Sequence, residues 1–523
     1  RRRSARVAIV LALTLGCAPP TENRGTVVYA SGADLESANP LVTVHPMAQQ
    51  VQRHALFVTL ARLDSALEPQ PYLARRWTSS RDKTALTLYL YPHLRWHDGV
   101  PTTARDVVFT LEAARDPRTG FPRVAELRGI TAVEARDDTT VMVTFRDPPP
   151  TFPLILSDLP VVPAHLLADV PRDRFRHHAF ATAPTGNGPF RFALREAGRR
   201  WVFERVPDFP EALGGPAHIE RLVVAVVDEP TTKFAGLVSG DLDIAGIAPT
   251  MASLVERDPA LRVISYPVTF ATALVFNAAR APFDDPRVRR AVDAIIDRRR
   301  IVDVALAGFG VPADGPVSVA HPYHVALPRP SAAQADSLLD AAGWRLGEDG
   351  RRARNGDALS FTLLTVVSGD NAIEQLIQAD MRSHGITMEI RFAELGAFLA
   401  MAREDPKTFD ALFVGIPGDL GLSHLAAMFD GRLAGGSLDY GGYHTPRLDA
   451  LFVGVEQASS ERELAAAWGA VQRALADETP VAWIYHARGV QGVARRLQGV
   501  RMDLRGELPT LREWRVGTAN GRP

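Results

Sequence analysis

The chain is predicted to be a mixed α/β protein of two or three domains, on three observations. Between Leu86 and Asp116 a strand pattern runs through a tight turn into a capped helix. Strand-like and helix-like periodicities then keep alternating to the C-terminal end, the arrangement that builds α/β layers. At 523 residues the chain also exceeds the size at which one hydrophobic core stops growing.

Residues 25–30 read as an opening strand, and Asn39-Pro40 breaks the segment after it. Leu86, Leu88 and Leu90 alternate with Thr87, Tyr89 and Tyr91, so one face of that strand is apolar. His97-Asp98-Gly99 is a turn, and the histidine and aspartate serve to stabilise it. After Pro101, Thr103 stands three residues before Asp106, an acidic variant of the capping box, and Val107, Val108 and Leu111 supply a helical stripe. Residues 139–145, 221–227, 361–367 and 386–392 are further strands, the last with Ile386, Met388, Ile390 and Phe392 on one side. A single helix is expected over 287–306, opened by Asp285 with Pro286 at its first position and closed by Gly308. Within it Arg298-Arg299-Arg300 reads as a solvated side. A second helix runs over 331–342, with Leu338 and Leu339 buried and Gly343 at its stop. Trp201, Trp344, Trp468, Trp483 and Trp514 lie within these elements and belong to the core. Domain punctuation falls at Pro148-Pro149-Pro150, Pro160 and Pro163, at 183–190, and at Phe276-Asn277-Ala278.

Composition excludes several function classes. With 59 Lys plus Arg against 60 Asp plus Glu, no global field recruits nucleic acid. A single cysteine, Cys17, excludes an internal disulfide and any zinc site of several thiolates. Arg1, Arg2, Arg3 and Arg6 precede the apolar run 7–15, the layout of a secretory signal too short to span a bilayer. The sequence Leu13-Thr14-Leu15-Gly16-Cys17 resembles a bacterial lipobox, although Thr14 stands where such signals usually carry Leu. Residues 1–24 are therefore expected to be a signal peptide and lipoprotein tether, with Cys17 lipidated and the mature protein outside the cytoplasm. His177-His178 lacks the spacing of a helical metal pair, and no nucleophile elbow, phosphate loop or dinucleotide fingerprint appears. No catalytic residue, cofactor or metal site is expected.

Several ordered blocks carry a resemblance that spans residues 25–515. The run 86–116 resembles the signature of the peptide and nickel type (family 5) of solute-binding proteins that feed ABC importers. Similar to that family's motifs are also Gly186-Asn187-Gly188-Pro189-Phe190, Ser239-Gly240-Asp241-Leu242-Asp243-Ile244, Phe276-Asn277 through Pro282-Phe283-Asp284-Asp285-Pro286-Arg287 to Asp297-Arg298, Ala341-Ala342-Gly343-Trp344, His384-Gly385-Ile386 and Glu478-Thr479-Pro480-Val481.

This resemblance implies a periplasmic-binding-protein-like type II bilobal clamp with an extra inserted α/β domain. Lobe I would comprise 25–55, 184–272 and 481–523, the inserted domain 56–183 and lobe II 273–480, with hinges near 183–188 and 272–277. It implies a non-enzymatic receptor, monomeric and lipid-anchored to a bacterial membrane, that closes on a peptide-like or small polar ligand and delivers it to ABC permease subunits. In peptide-binding relatives an aspartate three residues after a tryptophan holds the ligand's α-amino group. The corresponding stretch here is 415–423, where Asp419 supplies a carboxylate or is a turn aspartate between two glycines. Ile416 replaces the aromatic and Leu422 a second acid. Tyr440 and Tyr443, in the glycine-rich loop 435–442 and just after it, are expected to line the pocket, and His424 and His444 are the histidines placed to serve a nickel ligand. An exported envelope hydrolase and a sensory binding protein that docks a chemoreceptor or kinase are the other readings.

Overall fold

The opening strand forms over Thr26–Ser31 and pairs in parallel with Arg221–Val226 on one side and Ile244–Gly246 on the other. Being interior to a parallel ladder, it is buried almost continuously rather than alternately. The structure, a computed structural model, describes residues 25–367 and 371–517, so Cys17 and the tether lie outside the described residues. From this strand an eleven-stranded sheet extends to both ends of the molecule. On one side lie Arg221–Val226, Arg200–Arg205 and the edge strand Phe190–Glu196. On the other, Ile244–Gly246 leads to the long strands Val481–Ala494 and Leu261–Phe276, then Ala411–Pro417, Ser360–Val366 and the edge strand Thr387–Ala393, while the eleventh, Gly310–Pro312, pairs with Val481–Ala494 off this path.

Ala85–Leu90 alternates half-buried and buried residues, as its leucine pattern requires. It sits in a separate four-stranded antiparallel sheet with Ala74–Ser79, Thr140–Phe145 and Ile130–Asp137. The helix Ala104–Arg115 covers that sheet and starts with the expected box, in which Thr103 N donates to Asp106 Oδ2 at 2.8 Å. This α/β insertion shares one continuous apolar core with the first half of the molecule, from Val27 through Leu88 and Val143 to Trp201 and Trp514. All five tryptophans assigned to the core are buried.

The Gly-Asn-Gly motif fastens the insertion. Asn187 Oδ1 accepts from Val58 N at 3.0 Å, and Leu56 O accepts from both Asn187 N and Gly188 N. His97 Nε2 reaches Gly188 O at 3.0 Å, while Asp98 accepts from Val100 N and pairs with His165, so the histidine and aspartate do hold the turn. A Cβ at Gly188 would fall inside the contact radius of Ala55 O, a backbone atom that cannot rotate away. Gly188→Ala is therefore expected to cost ~1–3 kcal/mol of stability, the usual range for overpacking, measured by urea unfolding.

The buried cores divide the molecule in two. One half gathers residues up to Tyr266 and from Val490 onward, the other residues 271–484. Only the two long strands carry the chain between them. Their antiparallel register steps from Pro267↔Arg488 to Ala271↔His486, so residues 268–270 form an irregularity at the crossing. Such extra residues bend a strand pair locally.

Two expectations in the second half are corrected. The helix expected over 287–306 is two helices, Pro286–Ile295 capped by Asp285 and Arg298–Ala305 capped by Asp297. The break at Ile296-Asp297 turns Arg298 inward, where its side chain is 4% exposed. It donates to Trp483 O at 2.6 Å, Asp293 O at 2.8 Å and Asp293 Oδ1 at 2.5 Å. Arg300 pairs with Asp380, and only Arg299 keeps the solvated role foreseen for all three.

Candidate ligand cleft

Strand order in the second half creates a crevice before any side chain is considered. Ser360–Val366 lies between two parallel neighbours, Thr387–Ala393 and Ala411–Pro417, and the connecting helices Ala372–Ser383 and Leu395–Arg403 leave and return on opposite sides. Where the order reverses, the carboxyl ends of the strands open into a gap, the usual ligand position in open α/β sheets. A cavity of about 490 Å³ occupies it, lined by Thr365, Val366, Val414, Gly415, Tyr440 and Tyr485. Glu374 in its wall accepts from Thr365 Oγ1 at 2.7 Å. Phe270, from the strand irregularity, is 40% exposed and forms the rim. Its ring fills the space a side chain at position 415 would take, so Gly415 is what lets the two elements close up.

On the other side of Phe270 is a small cavity that residues of both halves line: Ile416, Asp419, His321 and His424 from the second half, His486 from the crossing strand and Leu504 from the C-terminal segment of the first. The Asp419 carboxylate receives Gly421 N and Ser423 N on Oδ1, and Ser423 Oγ, His424 N and His424 Nδ1 on Oδ2, all at 2.8–3.4 Å. Burial alone would push its carboxyl up, but His424 and Ser423 outweigh that and hold it well below the usual carboxylate range. It caps the short helix Ser423–Phe429 and fixes the preceding turn. His321 accepts Tyr323 N on Nδ1 and so donates Nε2–H to Leu420 O at 3.1 Å, which makes it a neutral imidazole; burial lowers its pKa accordingly. His486, 3% exposed, donates to Gly315 O at 3.1 Å, and burial drives its pKa down to about 4.

A third cavity, about 430 Å³, faces the same turn from the first half. Arg53, His54, Arg62, Tyr72, Arg505 and Arg512 line it, and Leu420 of the second half closes it. Within its wall Arg53 contacts Asp158, Arg501 pairs with Glu513 at 2.5 Å and Arg505 with Asp503 at 2.6 Å. Volumes of this order hold a drug-sized or short-peptide ligand.

A two-half α/β clamp with cavities on its dividing line is the architecture the sequence motifs imply, and the family comparison decides the identity. The profile of the bacterial extracellular solute-binding proteins, family 5 (middle region), matches residues 68–426. The chain belongs to this family. Among relatives of this family 5 protein, it is similar to Protein XP55 of Streptomyces lividans, 29% identical over 525 residues that cover 97% of this chain and 94% of the relative. NikZ from Campylobacter jejuni, solved in complex with Ni(L-His), superposes with a TM-score of 0.78 at 22% identity, over 94% of this chain and 99% of that one. The oligopeptide-binding protein AppA from Bacillus subtilis, solved with a nonapeptide, does so with a TM-score of 0.75 at 22% identity and the same coverage. The two structures share the type II bilobal clamp fold with this chain. As a solute-binding protein of ABC importers, the chain is an extracytoplasmic binding protein, and among the described residues no helix is long and apolar enough to cross a membrane.

The residues singled out from sequence are distributed unevenly over this solute-binding clamp. Ile416 and Asp419 meet in the small cavity, and Tyr440 lines the crevice next to it. Tyr443 lines none of the three. Its hydroxyl donates to Glu478 Oε2 at 3.0 Å and its ring lies 5.5 Å from the Arg289 guanidinium, so burial together with Glu478 raises its pKa to about 12. His424 bonds Asp419 whereas His444 bonds Asp439, and among the described residues no three metal-capable side chains come together. The arginine-rich wall was missed: Arg53, Arg62 and Arg512 are ordinary charged residues in sequence, and only the density of arginines over 495–515 hinted at it.

Proposed function

We propose that the two halves shut over a peptide-like or other small polar solute and that the loaded form hands this cargo to ABC permease subunits. The observation that supports this best is that the cavities on the dividing line take walls from both halves, Leu504 opposite Asp419 and Leu420 opposite Arg505. A solute touching both walls binds the shut form more tightly than the open form, and by that difference it shifts the population toward closure. The nonapeptide in AppA and the Ni(L-His) in NikZ are consistent with a polar solute of this size.

In this reading the residues up to Tyr266 and from Val490 onward form one lobe, with 56–183 as its insertion, and 271–484 form the other; the bend at residues 268–270 is the hinge, in place of the ones expected near 183–188 and 272–277. Ile416 and Tyr440 contact the solute, and Asp419 holds the turn that presents Leu420, while Tyr443 supports the lobe from behind. Cys17 carries the lipid that tethers a monomeric protein to a bacterial membrane.

Small-angle scattering of the protein with and without oligopeptides, combined with native mass spectrometry of co-purified cargo, tests the reading. A contracted envelope and an intact, unaltered cargo are expected; an unchanged envelope with every cargo, or chemical turnover of one, overturns it. Asp419→Ala removes a helix cap and is expected to cost ~1 kcal/mol of stability. It should also weaken cargo binding through the displaced turn, measured by calorimetry on the same oligopeptide.

A further inference from the structure

We infer that the corner of the arginine-walled cavity formed by Arg62, Tyr72 and Arg512 is an anion subsite, built to seat a carboxylate or phosphate group of the solute. Among the described residues the other cavity arginines have acidic partners: Asp158 for Arg53, Glu513 for Arg501 and Asp503 for Arg505. These two do not. Arg62 lies with its guanidinium 5.5 Å from the Tyr72 ring centroid and has no hydrogen bond or ion pair among the described residues. Arg512 gives Nη1 to Leu213 O at 2.6 Å, which leaves Nε and Nη2 free of any described protein acceptor. Gly214, at φ +102°, provides the space for this guanidinium, because a Cβ there would collide with it.

The two guanidiniums share one neighbourhood, and among the described residues no carboxylate is hydrogen-bonded or ion-paired to either. Burial is the main force lowering the pKa of Arg512, and the charge of Arg62 lowers it further, against Tyr72, Glu513 and Glu211; Glu513 is already engaged by Arg501, and neither acid is hydrogen-bonded or ion-paired to Arg512 among the described residues. Both cations act on the Tyr72 hydroxyl, which burial otherwise raises, and that hydroxyl has no described partner of its own. Deeper in the same cavity Arg53 Nε and His54 Nε2 are buried without a hydrogen-bond partner in the protein. Two uncompensated guanidinium forks and a phenol O–H converging on one corner match the planar, bidentate geometry of a carboxylate or phosphate. The position completes the receptor reading, on which it rests only for what carries the anion: a solute docks its anionic end on the first half, and Leu420 closes over it.

The test is calorimetric titration of the full chain with succinate and, separately, with inorganic phosphate, in chloride buffer at constant ionic strength. Saturable binding of at least one anion is expected, and whichever arm saturates identifies the chemistry. Arg62→Gln, an exposed and unbonded side chain whose loss leaves the melting temperature unchanged, should weaken it about tenfold, or ~1.4 kcal/mol. Tyr72→Phe should weaken it less, and Arg512→Gln at least as much if it folds. No saturable binding above chloride, or unchanged affinity in Arg62→Gln, overturns the subsite. Anion binding together with an unchanged scattering envelope on every oligopeptide would leave the subsite standing and remove the receptor reading; closure on oligopeptide with no anion response would do the reverse.

Discussion

Replacing Arg298 by Met is expected to lower the unfolding free energy by ~3–5 kcal/mol, the range for breaking a buried ion pair from one side. The loss has two sources. Asp293, whose side chain is 12% exposed, is left with only the longer contact from Arg329 at 3.3 Å. The carbonyls of Trp483, Asp293 and Ile296 also lose a charged donor, and buried acceptors without partners are costly. Methionine keeps most of the volume, so the effect is electrostatic rather than a cavity. Trp483 lies on the strand Val481–Ala494 that crosses between the halves, so the loosening will reach the hinge region. Urea unfolding measures it, and Asp293→Asn on the Arg298→Met background should recover part of the loss. A decrease under ~1 kcal/mol would mean that the buried arginine is not what joins the two helices to that strand.

The second large effect is acid destabilisation centred on His486. An unfolded histidine titrates near 6.5, whereas the folded group titrates at about 4. Burial is the main cause, reinforced by His324 and His424, against which the Gly315 carbonyl and Asp314 act. Below pH 6.5 the unfolded chain takes up a proton that the folded one refuses, so stability present above 6.5 is lost as pH falls, and the loss is complete near pH 4. Over that interval it amounts to ~3 kcal/mol, at about 1.4 kcal/mol per pH unit. His54, buried beside Arg53 and Arg505 and also held neutral, steepens the same decline. Asp419 works in a lower window, adding stability that disappears only as pH drops below the ordinary aspartate value of 3.8. Thermal melts from about pH 7.5 to 4 should show the slope, and His486→Gln, which retains a donor for Gly315 O, should flatten it. An equal slope in the variant would assign the decline elsewhere. Because His486 pairs with Ala271 at the register step, its protonation acts where the halves meet.

How far the fold was legible depended on the range of each signal. Thr103 and Asp106, and Asp285 with Pro286, cap helices where their spacing places them, since a cap involves atoms within four residues. The leucine alternation of 85–90 was equally readable. The strand 386–392 was less so: it forms as Thr387–Ala393, but as an edge strand it leaves Phe392 47% exposed. At Arg298 local reading failed, because an apolar stripe with arginines on its flank has the same pattern whether the helix continues or breaks at Ile296.

The candidate site divides along the same line. Ile416 and Asp419 were reached through a motif resemblance in one short segment and Tyr440 through its glycine-rich loop, and the structure sets the three on neighbouring cavities. Tyr443 has the same loop context as Tyr440 but turns to Glu478, a difference made by partners 35 residues away. Arg62 and Arg512, 450 positions apart, carry no joint signature at all.

By itself, then, the sequence determined the α/β alternation, the caps, the family and with it the clamp, because each rests on short patterns of hydrophobicity, turn chemistry and motif order. Only the tertiary structure decided which of three adjacent arginines is buried, where the long strands bend, and which distant side chains share a cavity. Those outcomes arise from contacts between remote segments, whose energies depend on burial and on the partners the fold brings within reach.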